Sequence, residues 1–265
     1  MLQTGIVLSG GGIKGMAHLG LIKALQEAEV NFDCIAGASA GALTGALIAA
    51  GYSPEESLEF FKSTPLFSIY YYSTSKPGLL DTEKFRPIFE KFFPQDAFET
   101  LHYPLFVTTT NLETGSWEIH KSGKLIDNLL ASASLPPVFA PMLIDGALHA
   151  DGGIMNNFPV EPLEERCSFI IGSYVHPIAA IKSTELKSSL QVAMRAMDLA
   201  RFAIVQPKLE RCHFLFAPPG IEAIGMLDRK AIDKAFDIGY DHARKEMPKF
   251  LKHLEKKRSR ILKVE

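Results

Sequence analysis

The sequence predicts a three-layer α/β/α protein in which helices cover both faces of a mostly parallel central sheet. Apolar runs of strand length alternate with segments whose apolar residues recur at helical spacing, beginning with the run at 6–8 and the helical pattern at 17–28. Neither an internal repeat nor a low-complexity linker divides the 265 residues. We therefore expect one domain over 1–265.

The remaining elements follow in order. A second strand at 34–36 leads into a helix of small residues that Gly51 ends, and Ser53-Pro54-Glu55-Glu56 begins a third helix with a capping box. The segment 142–150 predicts a β-hairpin turning at Asp145-Gly146. Further strands are predicted at 105–110, 117–120, 169–175 and 213–216, and further helices at 124–133, 185–205 and 228–246.

Composition excludes several classes of protein. The 28 basic and 30 acidic residues give a net charge of −2, so no global positive field favours nucleic acid. Three widely spaced cysteines argue against a disulfide framework, and no zinc-binding spacing is present, so we expect no metal. No signal peptide is evident, and the most apolar stretch, 36–50, is shorter than the roughly 20 residues of a membrane span. The expected location is the cytoplasm.

A glycine loop follows the first strand. Gly10-Gly11-Gly12-Ile13-Lys14-Gly15 matches G-x-G-x-x-G, the pattern of a dinucleotide-binding turn. A Rossmann unit needs an acidic residue at the end of its second strand, but Asp33 precedes the strand at 34–36. A P-loop is excluded because no Gly-Lys-Ser/Thr follows. An anion-binding loop and a plain tight turn both remain open.

A second glycine motif lies between the next strand and helix. Gly37-Ala38-Ser39-Ala40-Gly41 matches G-x-S-x-G, the turn that exposes a nucleophilic serine. Its glycines are needed where a side chain would collide with a neighbouring strand or helix, and the helix beginning near Ala40 adds a positive dipole end. Close packing of a glycine- and alanine-rich helix on a sheet is the alternative explanation.

The two motifs together favour acyl transfer. Both lie at the carboxyl ends of predicted parallel strands, where open α/β sheets bind ligands. Consecutive glycines at 10–12 can turn bare N–H groups towards one point, as an oxyanion hole requires. We therefore expect the glycine loop to hold a charge that develops during a reaction.

A nucleophilic serine also needs a base. The eight histidines show no clear partner, and Asp145 is explained by its turn. Asp151 ends a strand and is followed by Gly152-Gly153, so the hypothesis is that Asp151 takes the Ser39 proton directly. A triad that uses His149 is the alternative, and inactivation by His149→Ala would favour it.

These motifs, in this order, resemble the patatin-like phospholipase family. The residues at 131–141, and Asn157 with Pro159, are similar to the family blocks before and around the aspartate, and 16–25 resembles small bacterial members. The resemblance implies Ser39 as nucleophile and Asp151 as base, without metal or cofactor. It also implies an oxyanion hole from the amides of Gly10, Gly11, Gly12 and Ile13, supported by Lys14, Gly15, Gly37, Gly41, Gly152 and Gly153. Most members have arginine in place of Lys14.

The function that the resemblance implies is hydrolysis of ester bonds in phospholipids, lysophospholipids or related lipids through an acyl-enzyme. An acyltransferase using the same serine and a non-catalytic lipid-binding regulatory protein are the alternatives. A dinucleotide-binding oxidoreductase ranks last.

Two segments bear on contact with lipid. One interpretation of the aromatic stretch 60–98 is that it lines an acyl groove. Four of its residues are better explained as the core face of a helix: Phe85, Phe89, Phe92 and Phe93. Whether Tyr70-Tyr71-Tyr72 is exposed stays open. The basic tail at 249–265 is interpreted as a solvated terminal helix, with peripheral membrane contact as the other interpretation.

Overall fold

A computed structural model describes residues 3–64 and 69–261 of the protein. Its eight-stranded sheet has the order β5-β6-β3-β2-β1-β7-β8, and β4 also pairs with β3. Strands β1, β2, β3, β7 and β8 pair in parallel, whereas β4, β5 and β6 pair antiparallel. The strands are β1 Thr4–Leu8, β2 Cys34–Ala38, β3 Leu105–Asn111, β4 Ser116–His120, β5 Met142–Ile144, β6 Ala147–Asp151, β7 Phe169–Ser173 and β8 Phe214–Phe216.

Helices cover both faces of this sheet. Successive strand residues alternate between two cores: Ile6 and Leu8 pack with α1 and α8, while Val7 packs on the other side with residues of α6 and α7. The predicted three-layer α/β/α class is therefore confirmed. The helices are α1 Met16–Glu27, α2 Ala40–Ala49, α3 Pro54–Ser63, α4 Arg86–Phe92, α5 Leu125–Ser132, α6 Glu161–Glu164, α7 Ser189–Leu209 and α8 Ile232–Ile261.

The last helix joins two segments that the sequence predicts separately, the helix at 228–246 and the terminal helix of the basic tail. It continues beyond 246, through Pro248, to Ile261 because Phe250 and Leu254 are buried in the core. The Phe250 ring packs against aromatic rings of the neighbouring strands β7 and β8. The described part of the basic tail is therefore the end of a packed helix, and residues 262–265 lie outside the described range.

The hairpin places β6 between β5 and β3. Asp145 and Gly146 have φ values of 49° and 88°, as the predicted turn requires. Strand β4 pairs with β3 from Val107 to Asn111, so it occupies one edge of β3 there. Strand β2, paired up to Thr108, and β6, paired from Thr109, must therefore share the opposite edge. They run in opposite directions, so their carboxyl ends meet.

The aromatic stretch contributes both core and surface. Phe85, Phe89 and Phe93 are buried, and Tyr71 stacks on Phe85 with a centroid separation of 4.0 Å. Tyr70 and Tyr72 are exposed, while Phe67 lies outside the described residues. Within the described ranges, the helices are too short or too polar for any of them to cross a bilayer.

Candidate active site

Ser39 occupies a strained turn between β2 and α2. Its φ of 52° and ψ of −126° lie where side chains with a Cβ are rarely found. A Cβ on Gly41 would lie 2.2 Å from the Leu8 carbonyl oxygen, and one on Gly37 would lie 2.6 Å from the Gly41 backbone. Neither position can hold a side chain without moving backbone, which is the steric reason the sequence predicted.

Ser39 and Asp151 are in direct contact at the junction of β2 and β6. The Ser39 hydroxyl donates a hydrogen bond of 2.6 Å to Asp151 Oδ2. The Ser39 amide donates to Ser132 Oγ at 2.9 Å, and that hydroxyl donates to the Thr108 carbonyl at 2.7 Å. The nucleophile candidate is therefore fixed through both its backbone and its side chain.

Burial raises the pKa of Asp151. The side chain is enclosed, and its loss of solvation outweighs the Ser39 hydrogen bond, the charge of Arg201 and the Gly153 amide, each of which lowers the pKa. The Gly153 amide donates to Oδ1 at 2.7 Å, which leaves Oδ2 directed at Ser39. A carboxylate with a raised pKa accepts a proton more readily than one in water.

The glycine loop has two amides without hydrogen-bond partners. The Gly10 amide donates to the Asn157 carbonyl at 3.3 Å and the Ile13 amide to the Met226 carbonyl at 2.8 Å. The expectation that Gly10 and Ile13 supply oxyanion donors is therefore corrected, because both N–H groups are already used. Within residues 3–64 and 69–261, the amides of Gly11 and Gly12 donate no hydrogen bond.

The loop approaches its neighbours too closely for side chains. A Cβ on Gly10 would lie 2.3 Å from Asn157 Oδ1 and 3.0 Å from the Ser39 Cβ, and one on Gly12 would lie 2.3 Å from the Met226 carbonyl oxygen. The other three supporting glycines are similarly crowded. The atom nearest to an added Cβ would lie 2.7 Å away at Gly15, 2.0 Å at Gly152 and 2.3 Å at Gly153. These glycines let the loops meet around Ser39.

Lys14 takes no part in the contact between Ser39 and Asp151. Its side chain is buried, and burial lowers its pKa, while the charges of Asp198 and Glu222 act in the opposite direction. Across the described parts of the chain, the Lys14 ammonium makes no ion pair with a carboxylate and no hydrogen bond to Ser39. The carboxylate of α7 that acts on its charge is Asp198.

His18 anchors the start of the glycine loop. Its Nε2–H donates to the Ser9 carbonyl at 2.8 Å, and its Nδ1 accepts from the Ser173 hydroxyl at 2.7 Å. Complete burial lowers the pKa of His18 to about 4, and the hydrogen bond to Ser9 only partly opposes this. The imidazole is therefore neutral, and its tautomer follows from the carbonyl that it faces.

We expect His18 to make the fold sensitive to acid. Its folded pKa of about 4 lies below the unfolded value near 6.5, so the stability that it contributes is complete above pH 6.5 and is lost as the pH falls towards 4. Between pH 7.5 and 5.0 this loss is about 2 kcal/mol. Urea unfolding at both pH values should show His18→Gln losing about 2 kcal/mol less than the wild type. Equal losses in the two proteins would contradict the assignment.

A histidine base is absent from the Ser39 contact. All eight histidines lie in the described residues, and none has a hydrogen bond to Ser39 or Asp151. His149 faces Thr109 instead, with 2.9 Å between Nδ1 and Oγ1. The geometry favours the direct serine–aspartate contact over the triad that the sequence left open.

Sequence reasoning assigned no role to several residues that hold the site. Thr110 donates from Oγ1 to the Asp151 carbonyl at 2.9 Å, and Asn157 clamps Gly10 through its backbone carbonyl. Ser132 and Asn157 lie in blocks that resemble the family, so their positions could be found but their contacts could not. The role of Thr110 cannot be predicted from the sequence, because nothing near it distinguishes it from other threonines in strands.

An apolar cavity opens at Ser39. The centre of a water-sized molecule can move within about 130 Å³ of it, and the whole opening, solvent included, measures about 900 Å³. Its walls come from the glycine loop, α2, α3, α5 and the aromatic stretch, and include Gly12, Ser39, Leu43, Phe60, Phe61, Phe85, Phe89, Leu130, Phe139, Met226 and Leu227. The cavity suits a hydrocarbon chain attached to a group that reaches Ser39.

A three-layer α/β/α sheet that presents a serine on a strand-to-helix turn defines the class of α/β proteins with a nucleophile elbow. Within that class, the family model for patatin-like phospholipase matches residues 6–164. The chain belongs to the patatin-like phospholipase family.

Its curated relatives include much longer proteins. Patatin-like phospholipase domain-containing protein 6 of Mus musculus is 26% identical over 278 residues, which cover 90% of this chain and 20% of the relative. An uncharacterized NTE family protein of Mycobacterium bovis is 27% identical over 273 residues, covering 91% of this chain and 46% of the relative. The chain thus spans less than half the length of these relatives.

Among solved structures, VipD from Legionella pneumophila has a similar fold. The TM-score is 0.55 with 16% sequence identity, and the match covers 92% of this chain and 66% of VipD. At this identity the likeness supports the fold alone.

Proposed function

We propose that this protein is a serine acyl hydrolase that cleaves ester bonds of phospholipids, lysophospholipids or related lipids through Ser39 and Asp151. The observation that carries the proposal is the 2.6 Å hydrogen bond from the Ser39 hydroxyl to a buried carboxylate. This contact lies at an apolar cavity that Ser39 helps to line. A nucleophile, its base and an acyl-binding surface therefore lie together.

The first half of the reaction transfers the acyl group to the protein. Asp151 Oδ2 takes the hydroxyl proton as Ser39 Oγ attacks the ester carbonyl carbon. The amides of Gly11 and Gly12 donate to the oxyanion that forms; each donor of this kind contributes roughly 10²–10³ in rate. The C–O bond then breaks, and Asp151 returns its proton to the leaving alcohol.

The second half repeats these steps with water. The water oxygen attacks the acyl carbon while Asp151 accepts a proton from that water. The proton then passes from Asp151 to Ser39 Oγ as the fatty acid leaves. An acyltransferase differs only in the acceptor, since an alcohol replaces the water. The direct contact between Ser39 and Asp151 leaves a proton path that needs no imidazole.

The cavity and the relatives support a lipid substrate. Aromatic and aliphatic side chains dominate its walls, so it offers an acyl chain many apolar contacts and few polar ones. Several matching relatives carry the names phospholipase domain-containing protein and neuropathy target esterase. The exposed side chains of Tyr72 and Leu79, close in sequence to Phe85 in the cavity wall, favour contact with a lipid surface. A single domain and a cytoplasmic location stay predictions.

The test uses a serine-directed label together with lipid esters. A fluorophosphonate should attach to Ser39, and mass spectrometry of the peptides should find Ser122, which is exposed on the surface, unlabelled. Wild type should release fatty acid from lysophosphatidylcholine, phosphatidylcholine or p-nitrophenyl esters, and prior labelling should stop this release. Labelling elsewhere, or no turnover of any ester, would exclude a hydrolase at Ser39. Transfer to an added alcohol in preference to water would favour the acyltransferase.

A further inference from the structure

Two histidines from different strands converge on one threonine side chain. His120 Nε2 and His149 Nδ1 lie 2.7 Å and 2.9 Å from the same atom, Thr109 Oγ1. His120 is on β4 and His149 on β6, so the pair forms only when both strands flank β3. Two imidazole nitrogens facing one point are half of a metal-binding site.

A carboxylate completes the cluster. One ligand atom each from Glu118, His120 and His149 lies within 4.8 Å of the other two. The Asn111 side chain donates to Glu118 Oε1 at 2.9 Å, which orients the carboxylate as a supporting residue does in metal sites. Glu118 pairs with Thr109 across the strands, so its side chain lies on the same face of the sheet as the Thr109 hydroxyl.

The geometry requires only a small adjustment to bind a metal. Bond lengths of 2.0–2.2 Å to nitrogen and oxygen in a tetrahedral zinc site place neighbouring ligand atoms roughly 3.3–3.5 Å apart. Ligand atoms at the 4.8 Å limit must therefore approach each other by about 1.5 Å, which side-chain rotation within the cluster has to supply.

We propose that Glu118, His120 and His149 bind one divalent transition-metal ion, for which Zn²⁺ is the best match. Two imidazole nitrogens and one carboxylate oxygen suit zinc and its neighbours better than Ca²⁺ or Mg²⁺, which prefer oxygen ligands. Water completes the coordination. This site is independent of the proposed ester hydrolysis, since no step of that reaction uses it.

The ion would join β4 to β6 across β3. Thr109 pairs with Glu118 on one edge of β3 and with Asp151 on the other. Strand β6 has three residue pairs with β3, and its last residue is Asp151. A metal held by His149 and by β4 would therefore restrain the strand that carries the proposed base.

The test measures metal binding to the full-length protein after removal of metal with a chelator. Calorimetry should give one Zn²⁺ per chain, and Co²⁺ should produce visible absorption bands of a four- or five-coordinate site that Zn²⁺ abolishes. Saturating Zn²⁺ should raise Tm by about 5 °C or more. His120→Ala should weaken binding at least tenfold and abolish the Tm shift.

Two further variants make the result specific. Glu118→Gln keeps the size of the side chain and a hydrogen bond from Asn111 but removes the charge, so it should also weaken binding while circular dichroism stays that of the wild type. His253→Gln removes an exposed histidine outside the cluster and should bind Zn²⁺ as the wild type does. The proposal is overturned if the stripped wild type binds no Zn²⁺ at 100 μM, or if His120→Ala and Glu118→Gln both bind it undiminished. Because no lipid is present, this outcome is separate from failure of the proposed hydrolysis.

Discussion

Asp151→Asn is expected to lower kcat for ester hydrolysis by at least about 10³-fold, and Ser39→Ala by as much or more. The asparagine side chain has nearly the same shape: its oxygen can accept the Gly153 amide at the Oδ1 position, and its NH2 group at the Oδ2 position can donate to Ser39 Oγ. It cannot hold the serine proton, so attack on the ester carbonyl loses its base. Initial rates with a p-nitrophenyl ester and with lysophosphatidylcholine measure the effect.

The double variant sharpens this prediction. Because Ser39 and Asp151 act on one proton, Ser39→Ala combined with Asp151→Asn should be no less active than Ser39→Ala alone. Asp145→Asn is the matched control, since it changes an exposed aspartate in the turn of the same hairpin and should keep wild-type activity. If Asp151→Asn retained more than about a tenth of kcat, another group would be the base.

Gly41→Ala is expected to destabilise the fold by about 2–4 kcal/mol and to reduce activity by roughly 10²-fold. The added methyl group would lie 2.2 Å from the Leu8 carbonyl oxygen and 2.7 Å from that of Ser9. Both atoms belong to the backbone at the end of β1, so α2 must move away from the sheet. Such a shift carries Ser39 away from the glycine loop that follows Ser9.

Urea unfolding and ester hydrolysis measure the two effects separately. Gly225→Ala is the control, because the nearest atom to its added Cβ is 3.4 Å away and its φ lies outside the strained region. This control should change stability by less than about 1 kcal/mol. Wild-type stability together with wild-type activity in Gly41→Ala would show that the turn tolerates a side chain, and the elbow interpretation would fail.

Local sequence signals were sufficient for most of the architecture. Alternation of apolar strands and helical patterns predicts the three layers because each element must bury one face or stripe. The glycine pairs around Ser39 and after Asp151 indicate tight turns, because glycine lacks the Cβ that would collide with neighbouring backbone there. The end of α8 differs: the sequence indicates a solvated terminal helix, whereas burial of Phe250 and Leu254 makes it a packed continuation through Pro248.

The atomic partners at the site depended on the tertiary structure. Gly10 and Ile13 belong to the predicted oxyanion loop, but only the folded chain shows their amides donating to Asn157 and Met226. His18 is one of eight histidines in the sequence, and only the folded chain shows that it holds the start of the glycine loop by donating to the Ser9 carbonyl. The Glu118, His120 and His149 cluster has no sequence spacing to reveal it, because β4 and β6 bring its members together from separate segments.

The sequence by itself determined that Ser39 ends a strand in a turn without room for side chains and that Asp151 ends a hairpin. Tertiary structure decided that these two residues meet. One edge of β3 receives β2 as far as Thr108 and β6 from Thr109 onward, in opposite directions. Residues 112 positions apart thereby come within 2.6 Å. Turn chemistry is local and can be derived from neighbouring residues, whereas pairing across a strand depends on how the whole sheet is arranged.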